Sequence, residues 1–145
     1  MPVHCLIFSR YNVVYDGEAD SVTLPGINGQ LTVLPKHIPM YAKLRAGIIT
    51  VRLKSETNEF TVTGGFVQVL SGTIRILADS SESVQEIDLD RAEVARKRAE
   101  EAMKRAPSKE STEFLKAYLL WQKSTVRVKA AKKAKSRTNW IPKSK

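Results

Sequence analysis

The chain changes character abruptly at Ile87 and Asp88. Before this point apolar and polar residues alternate in short runs, whereas after it apolar residues recur every three or four positions. Alternation is typical of strands with one buried face, and the longer period is typical of helices. The sequence therefore predicts an α+β protein, with an antiparallel sandwich or barrel over residues 1–86 and an antiparallel two-helix hairpin over 87–135. We expect the basic tail, 136–145, to be disordered.

The N-terminal half reads as short strands separated by turn residues. Gly-containing pairs mark most of the turns, including Asp16-Gly17, Pro25-Gly26 and Gly64-Gly65. The alternation places Thr61, Gln68 and Arg75 in water. The predicted strands span residues 3–8, 13–15, 21–24, 31–34, 47–53, 60–63, 66–70 and 73–77.

The C-terminal half predicts two helices that can pack against each other. Alanines at three- and four-residue spacing form a stripe along the first helix, which Pro107 ends. Ser111 or Thr112 can cap the second helix. That helix has two apolar faces, which require two partners. One face carries Phe114, Ala117, Trp121, Ser124, Val128 and Ala131, and the other carries Leu115, Leu119 and Val126.

Charge is divided unevenly between the halves. The 145 residues carry a net charge of +9, but residues 1–86 contain 7 Lys/Arg and 8 Asp/Glu, while residues 87–145 contain 17 and 7. The helical half is therefore strongly basic. Such a half suits an acidic partner, which could be nucleic acid, anionic lipid, nucleotide phosphate or an acidic protein surface.

Several functional classes find no support in the sequence. It has no apolar run long enough to cross a bilayer and no signal peptide at its start, so we expect a soluble chain. Cys5 is the only cysteine, and it lies in an apolar alternating segment where a thiol fills space. No catalytic motif, phosphate-binding glycine loop or metal-ligand spacing appears, so we expect a non-catalytic chain without a metal.

Four cations of the helical half form a candidate anion site. Arg91 and Arg98 are seven residues apart on the first helix, and Lys123 and Arg127 are four apart on the second. If the hairpin closes, these groups can converge on a polyphosphate. The alternative is that they are solvated surface charges, some of them paired with neighbouring glutamates.

Three segments give the chain a family resemblance. They are the junction Ile87-Asp88-Leu89-Asp90-Arg91-Ala92, the loop Gly29-Gln30-Leu31-Thr32-Val33-Leu34-Pro35-Lys36-His37-Ile38-Pro39 and the turn Thr63-Gly64-Gly65-Phe66. In these segments the chain resembles the epsilon subunit of the rotary F-type ATP synthase over about residues 1–135. The resemblance implies a β-sandwich followed by a regulatory helical hairpin.

The resemblance also implies a set of binding residues. The junction matches the family's nucleotide-binding signature, so the ATP pocket would comprise Glu82, Ile87, Asp88, Arg91, Ala92, Arg98, Lys123 and Arg127. Lys123 departs from the family's arginine, and an ammonium cannot form the bidentate fork of a guanidinium. ATP would be a regulatory ligand, with no cofactor required.

The loop departs from the family pattern at Gln30, Thr32 and Lys36, where the family has an acid and two glycines. The resemblance assigns Gln30, Lys36 and His37 to the rotor interface with the membrane ring.

As a rotor subunit, the chain would couple the gamma shaft to the c-ring without chemistry of its own. The hairpin would inhibit ATP hydrolysis by extending toward acidic loops of the beta subunits. Its inhibitory cations would be Lys116, Lys123, Arg127, Lys129, Lys132 and Lys133, with Lys109 adding further charge. The resemblance places the chain, as a peripheral subunit, at the cytoplasmic face of a bacterial plasma membrane. It implies no nucleic-acid partner and only indirect membrane contact, through the complex.

Two alternatives follow from the charge. A small β-domain protein could bind nucleic acid through its basic helical arm and Trp140, although residues 1–86 are slightly acidic. The basic second helix and tail could instead attach to an anionic membrane surface.

Overall fold

The structure, a computed structural model, describes residues 2–140, with side chains through residue 136. Eight strands precede a single 3-10 turn, η1, and two helices. Their bounds are β1 Val3–Ser9, β2 Val13–Ala19, β3 Ser21–Gly26, β4 Gly29–Val33, β5 Met40–Leu53, β6 Glu56–Leu70, β7 Thr73–Ala78, β8 Ser81–Ser83, η1 Val84–Glu86, α1 Leu89–Arg105 and α2 Thr112–Trp140. The chain divides into two compact units, Met1–Ser83 and Val84–Lys145, three residues before the predicted boundary.

The first unit is the predicted sandwich, built from a sheet with strand order β2-β1-β7-β6-β5-β3-β4 and with β8 beside β6. The pairing is antiparallel except between β1 and β7, which are parallel. Strands β5 and β6 are long, with 14 and 15 residues, and they pair with each other along their whole length. On its other side, β6 has a different neighbour for each half. Strand β8 pairs with the first half of β6, and β7 pairs with the second half.

Alternate side chains of these strands form the sandwich core. The residues with no exposed surface include Ile7, Leu24, Ile49, Ile74 and Ile76. Cys5 lies among them, as predicted for a space-filling thiol, and burial raises the pKa of its thiol from 9.0 to about 12. Gln68 and Arg75 are exposed as predicted. The prediction that Thr61 lies in water was wrong, because Thr61 pairs with Glu82 of β8 and is buried.

Three predicted turns lie within strands. Strand β2 continues through Asp16-Gly17, and β3 continues through Pro25-Gly26 to its end. The Gly64-Gly65 pair does not separate two strands, because β6 is continuous through it. Both glycines have positive φ, 130° and 143°. A Cβ on Gly65 would collide with the carbonyl oxygen of Leu77, so close approach to β7 explains the glycine there.

The second unit contains the predicted antiparallel hairpin. The Nε1 of Trp121 donates to Glu100 at 3.2 Å, and Lys132 pairs with Glu93 at 3.5 Å. Residues later in α2 therefore meet residues earlier in α1, as antiparallel packing requires. The seam between the helices is small, as the alanine stripe predicts. Its buried side chains are Ala92 and Ala99 of α1 and Ala117, Ser124, Val128 and Ala131 of α2.

Helix α2 is longer than predicted. It continues through Trp140, so the expectation of disorder from residue 136 was wrong for residues 136–140. Lysine, alanine and arginine favour a helix, and the nearest proline is Pro142. The rest of the predicted tail, 141–145, and the side chain of Trp140 lie outside the described residues.

Candidate functional site

The junction motif starts helix α1. The Oδ1 of Asp88 accepts a hydrogen bond from the backbone N–H of Arg91 at 3.2 Å, which makes Asp88 the N-cap. The N–H of Ile87 closes the preceding 3-10 turn on Val84 O at 3.2 Å. Ala92 is fully buried at the helix seam. Ile87, Asp88 and Ala92 thus have local structural roles, and Arg91 keeps an exposed guanidinium.

Arg91 and Arg98 share one groove on the surface of α1. Its other lining residues are Asp90, Val94 and Ala95, and its volume is about 340 Å³. Seven residues make nearly two helical turns, which is why both guanidiniums lie on the same face. Two guanidiniums on one helix face can bind an anion such as a phosphate group.

The remaining residues of the predicted ATP site lie elsewhere. Lys123 is exposed and Arg127 is partly buried on α2. Among the described residues, neither lines the groove of Arg91 and Arg98. Glu82 is partly buried on β8, opposite Thr61, and belongs to the first unit. The structure therefore brings two of the four predicted cations into one groove, both of them on α1.

The predicted rotor-interface residues lie on one exposed stretch. Gln30 is exposed on the edge strand β4, opposite Pro25, and Lys36 and His37 follow in the next turn. The His37 N–H donates to Leu34 O at 3.1 Å, and its Nδ1 lies 2.7 Å from Ile38 O. Lys36 has φ of 67°, a left-handed conformation that favours glycine.

Apolar side chains flank this turn. Leu34 and Ile38 are 56% and 75% exposed, so the turn presents an apolar as well as a polar surface.

The cations predicted to be inhibitory are mainly exposed. Arg127 is partly buried, and the exposed cations are Lys116, Lys123, Lys129, Lys132 and Lys133. One of them, Lys132, pairs with Glu93 of α1 at 3.5 Å. Exposed pairs of this kind contribute little stability, so the surface charge remains available to a partner.

The sequence predictions missed a row of apolar side chains on the outer face of the sheet. Phe8 is the register partner of both Val13 and Leu77, and Leu77 is the partner of Phe66. Tyr41 stacks on Phe66 with ring centroids 5.6 Å apart. We call these five residues the apolar row.

All members of the apolar row except Phe8 are exposed. The sequence contained the information needed to predict their exposure. Residues two apart in a strand lie on the same face, and Phe66 and Leu77 are each two residues from Gln68 or Arg75, which were correctly predicted to be in water.

No helix among the described residues combines the length and apolar character needed to cross a bilayer. No group of three or more His, Cys, Asp or Glu in that part of the chain could hold a metal ion.

A β-sandwich joined to a basic two-helix unit, with an exposed apolar row on the sheet, is typical of a protein that binds partners in an assembly. Comparison with known proteins agrees. The family model described as the beta-sandwich domain of the ATP synthase delta/epsilon chain matches residues 2–84, and the long alpha-helix domain of the same chain matches residues 85–132. The chain belongs to the ATP synthase delta/epsilon chain family.

Its relatives include proteins named ATP synthase epsilon chain. That of Halalkalibacterium halodurans is 33% identical over 129 residues, covering 89% of this chain and 96% of the relative. That of Herpetosiphon aurantiacus is 36% identical over 138 residues, covering 94% and 99%. The predicted resemblance to epsilon subunits is thus confirmed.

Solved structures show the same fold at low identity. A chain of the Euglena gracilis mitochondrial ATP synthase has a TM-score of 0.72 at 16% identity, covering 86% of this chain and 78% of that one. A chain from the central stalk and c-ring of the Tetrahymena thermophila mitochondrial enzyme has a TM-score of 0.55 at 22% identity, covering 88% and 95%.

Proposed function

We propose that the chain is a non-catalytic rotor subunit that joins the gamma shaft of a proton-translocating F-type ATP synthase to its c-ring. The apolar row is the observation that carries the proposal. Four of its side chains remain between 39% and 68% exposed on the outer face of the sheet. A contiguous exposed apolar patch of this kind marks a protein interface.

The surroundings of the apolar row suit the gamma shaft. Lys43 is the register partner of Phe66, and Arg75 lies two residues from Leu77, so cations flank the row. A helical shaft with an apolar stripe and acidic flanks would complement this surface.

A capture experiment tests the shaft interface. Immobilised gamma subunit should retain the parent chain and lose most binding to a Tyr41→Ser/Phe66→Ser variant, since aromatic anchors carry most interface energy. The matched control is Tyr11→Ser, which removes an aromatic ring that is 88% exposed outside the row. Equal capture of all three chains would contradict the assignment.

The c-ring contact is assigned to the turn that contains Lys36 and His37, together with Gln30. Support comes from the exposed Leu34 and Ile38 beside them, which would add apolar contact to polar recognition. Substitution of Ile38 by Asp should weaken ring binding while leaving shaft binding unchanged. Loss of both would point to a folding defect instead.

The helical unit is assigned a regulatory role. Its helices meet through small side chains, so little apolar area holds them together and separation is inexpensive. In the separated state the exposed lysines of α2 would reach acidic surfaces of the beta subunits and block hydrolysis. Removing residues 88–145 from the assembled enzyme should therefore raise ATP hydrolysis without affecting assembly, and an unchanged hydrolysis rate would remove the inhibitory assignment.

ATP is proposed as a regulatory ligand of the helical unit. The groove of Arg91 and Arg98 supplies two guanidiniums for phosphate oxygens. Calorimetric titration should show weaker ATP binding in Arg91→Ala and Arg127→Ala than in the parent. Lys97→Ala is the matched control, because Lys97 is an exposed cation of α1 that does not line the groove in the described part of the chain.

As a subunit of such a complex, the chain would occupy a peripheral position at the cytoplasmic face of a bacterial plasma membrane. The nucleic-acid alternative has one supporting feature, since Lys43 and Arg75 lie beside the aromatic rings of the sheet. A gel shift with single-stranded DNA that survives physiological salt would favour it.

A further inference from the structure

The tip of the helical hairpin contains a second groove that the proposed function does not use. It lies where α1 ends and α2 begins, and its volume is about 650 Å³, which is within the usual range for small-molecule sites. Its lining residues are Glu100, Met103, Lys104, Ala106, Ser108, Lys109, Phe114 and Trp121. We propose that this groove binds a monoanionic amphiphile, such as a medium-chain carboxylate, and that binding stabilises the closed hairpin.

The floor of the tip groove is apolar. Met103 and Ala106 come from α1 and its end, and Phe114 and Trp121 come from α2; all four are partly buried. The rings of Phe114 and Trp121 both stack on Tyr118, with centroid distances of 6.5 Å and 6.1 Å. Such a surface suits an aliphatic or aromatic body, with the thioether of Met103 adapting to its shape.

The charge of the lining selects an anionic head group. Lys104 and Lys109 contribute two ammoniums against the single carboxylate of Glu100. That carboxylate already accepts the indole N–H of Trp121 at 3.2 Å. Within the part of the chain that the structure describes, neither lysine forms an ion pair. A ligand carboxylate can therefore reach two uncommitted donors without breaking an existing contact.

Both helices contribute walls, and this links binding to closure. Met103 lies on α1 and Trp121 on α2, so the groove exists only while the helices are packed together. A ligand that binds one of two states shifts the equilibrium toward that state. Its binding would thus stabilise the closed hairpin, and the further step to control of hydrolysis rests on the proposed function.

Decanoate tests the site on the isolated full-length chain. With Trp140→Phe as background, Trp121 is the only tryptophan, and its fluorescence should change saturably with decanoate. Lys104→Gln/Lys109→Gln should weaken decanoate binding about three- to tenfold, as expected for two exposed charge contacts. Lys97→Gln/Lys116→Gln removes the same charge outside the groove and should leave affinity unchanged.

Two further arms separate charge from apolar contact. Neutral 1-decanol should bind more weakly than decanoate. Ala106 is the C-cap of α1 and has an extended backbone, so leucine at this position would fill the groove. Ala106→Leu should therefore abolish decanoate binding while the protein keeps its helical circular dichroism. Equal affinity of the lysine variants and the parent, or equal binding of decanol, would overturn the site. Decanoate that binds but speeds amide exchange in α2 would overturn the link to closure.

These outcomes are independent of the rotor proposal. Decanoate binding requires no gamma subunit, c-ring or assembled enzyme, so failure of the capture experiment would leave the groove intact, and the reverse also holds.

Discussion

The small seam between α1 and α2 can be tested by enlarging one side chain. Ala99 is 4% exposed and faces the buried small residues of α2. Leucine at this position adds three carbon atoms where the helices approach closely. Overpacking of a tight interface typically costs about 1–3 kcal/mol. A cost of about 2 kcal/mol would raise the population of the open hairpin about thirtyfold.

Hydrogen exchange measures this opening directly. Amides of α1 and α2 that exchange through helix separation should exchange about thirtyfold faster in Ala99→Leu, while amides of β5 and β6 keep their rates. Lys97→Leu is the matched control, because Lys97 lies exposed on the same helix and lysine and leucine have similar helix propensity. Equal exchange in the two variants would show that the seam does not hold the helices together. If the open state inhibits hydrolysis, the assembled Ala99→Leu enzyme should also hydrolyse ATP more slowly.

Three smaller effects follow from single contacts. Lys36→Gly should raise the free energy of unfolding by up to about 1 kcal/mol, because glycine adopts a φ of 67° without strain. Denaturant titration should show the opposite change for Lys43→Gly in β5, and a loss of stability in both variants would contradict the strain argument. Ser111→Ala should lower the free energy of unfolding by about 1 kcal/mol, since the Ser111 Oγ accepts the Phe114 N–H at 3.1 Å. Thermal circular dichroism should show a smaller loss for Thr112→Ala, and a larger loss there would mean that Thr112 is the N-cap of α2. Because the Cys5 thiol has a lower pKa in the unfolded chain than in the folded one, the free energy of unfolding should fall by about 1.4 kcal/mol per pH unit as pH rises from 9.0 toward about 12. Denaturation curves of Cys5→Val should lack this part of the loss, and the same pH dependence in both proteins would refute the role of the thiol.

Sequence reasoning worked best where one local signal determines the structure. The end of α1 before Pro107 and the cap of α2 at Ser111 depend on neighbouring residues alone, and both are present. The antiparallel hairpin follows from the alanine stripe and the short connection between the helices. Prediction failed where distant strands decide. Thr61 is buried in the part of β6 that pairs with β8, an unpredicted strand of three residues.

The departures from the family loop have structural explanations that the sequence could not supply. Thr32 is a residue of strand β4, and its hydroxyl lies 3.2 Å from that of Thr23, which also accepts a hydrogen bond from Arg52. The threonine side chain therefore forms a cross-strand hydrogen bond at a position where the family has glycine. Lys36 is the opposite case, because its positive φ retains the conformation for which glycine is suited.

The candidate site was less predictable than the fold, because convergence of cations depends on how two helices are rotated. Spacing correctly placed Arg91 and Arg98 on one face of α1, since both belong to the same helix. It could not place Lys123 and Arg127 relative to them. The same limit hid the tip groove, whose walls come from residues on both helices and the turn between them.

The two grooves differ in what they can sense. The lining of the Arg91 and Arg98 groove belongs to α1 alone, so a phosphate held only there would bind the open and closed hairpins equally and shift neither. For ATP to favour closure, it must also contact α2, and the cations available for this in the proposed pocket are Lys123 and Arg127. Arg127→Ala should therefore reduce the effect of ATP on hairpin opening more than Arg91→Ala does at equal saturation. The tip groove needs no such extension, since its walls already join both helices.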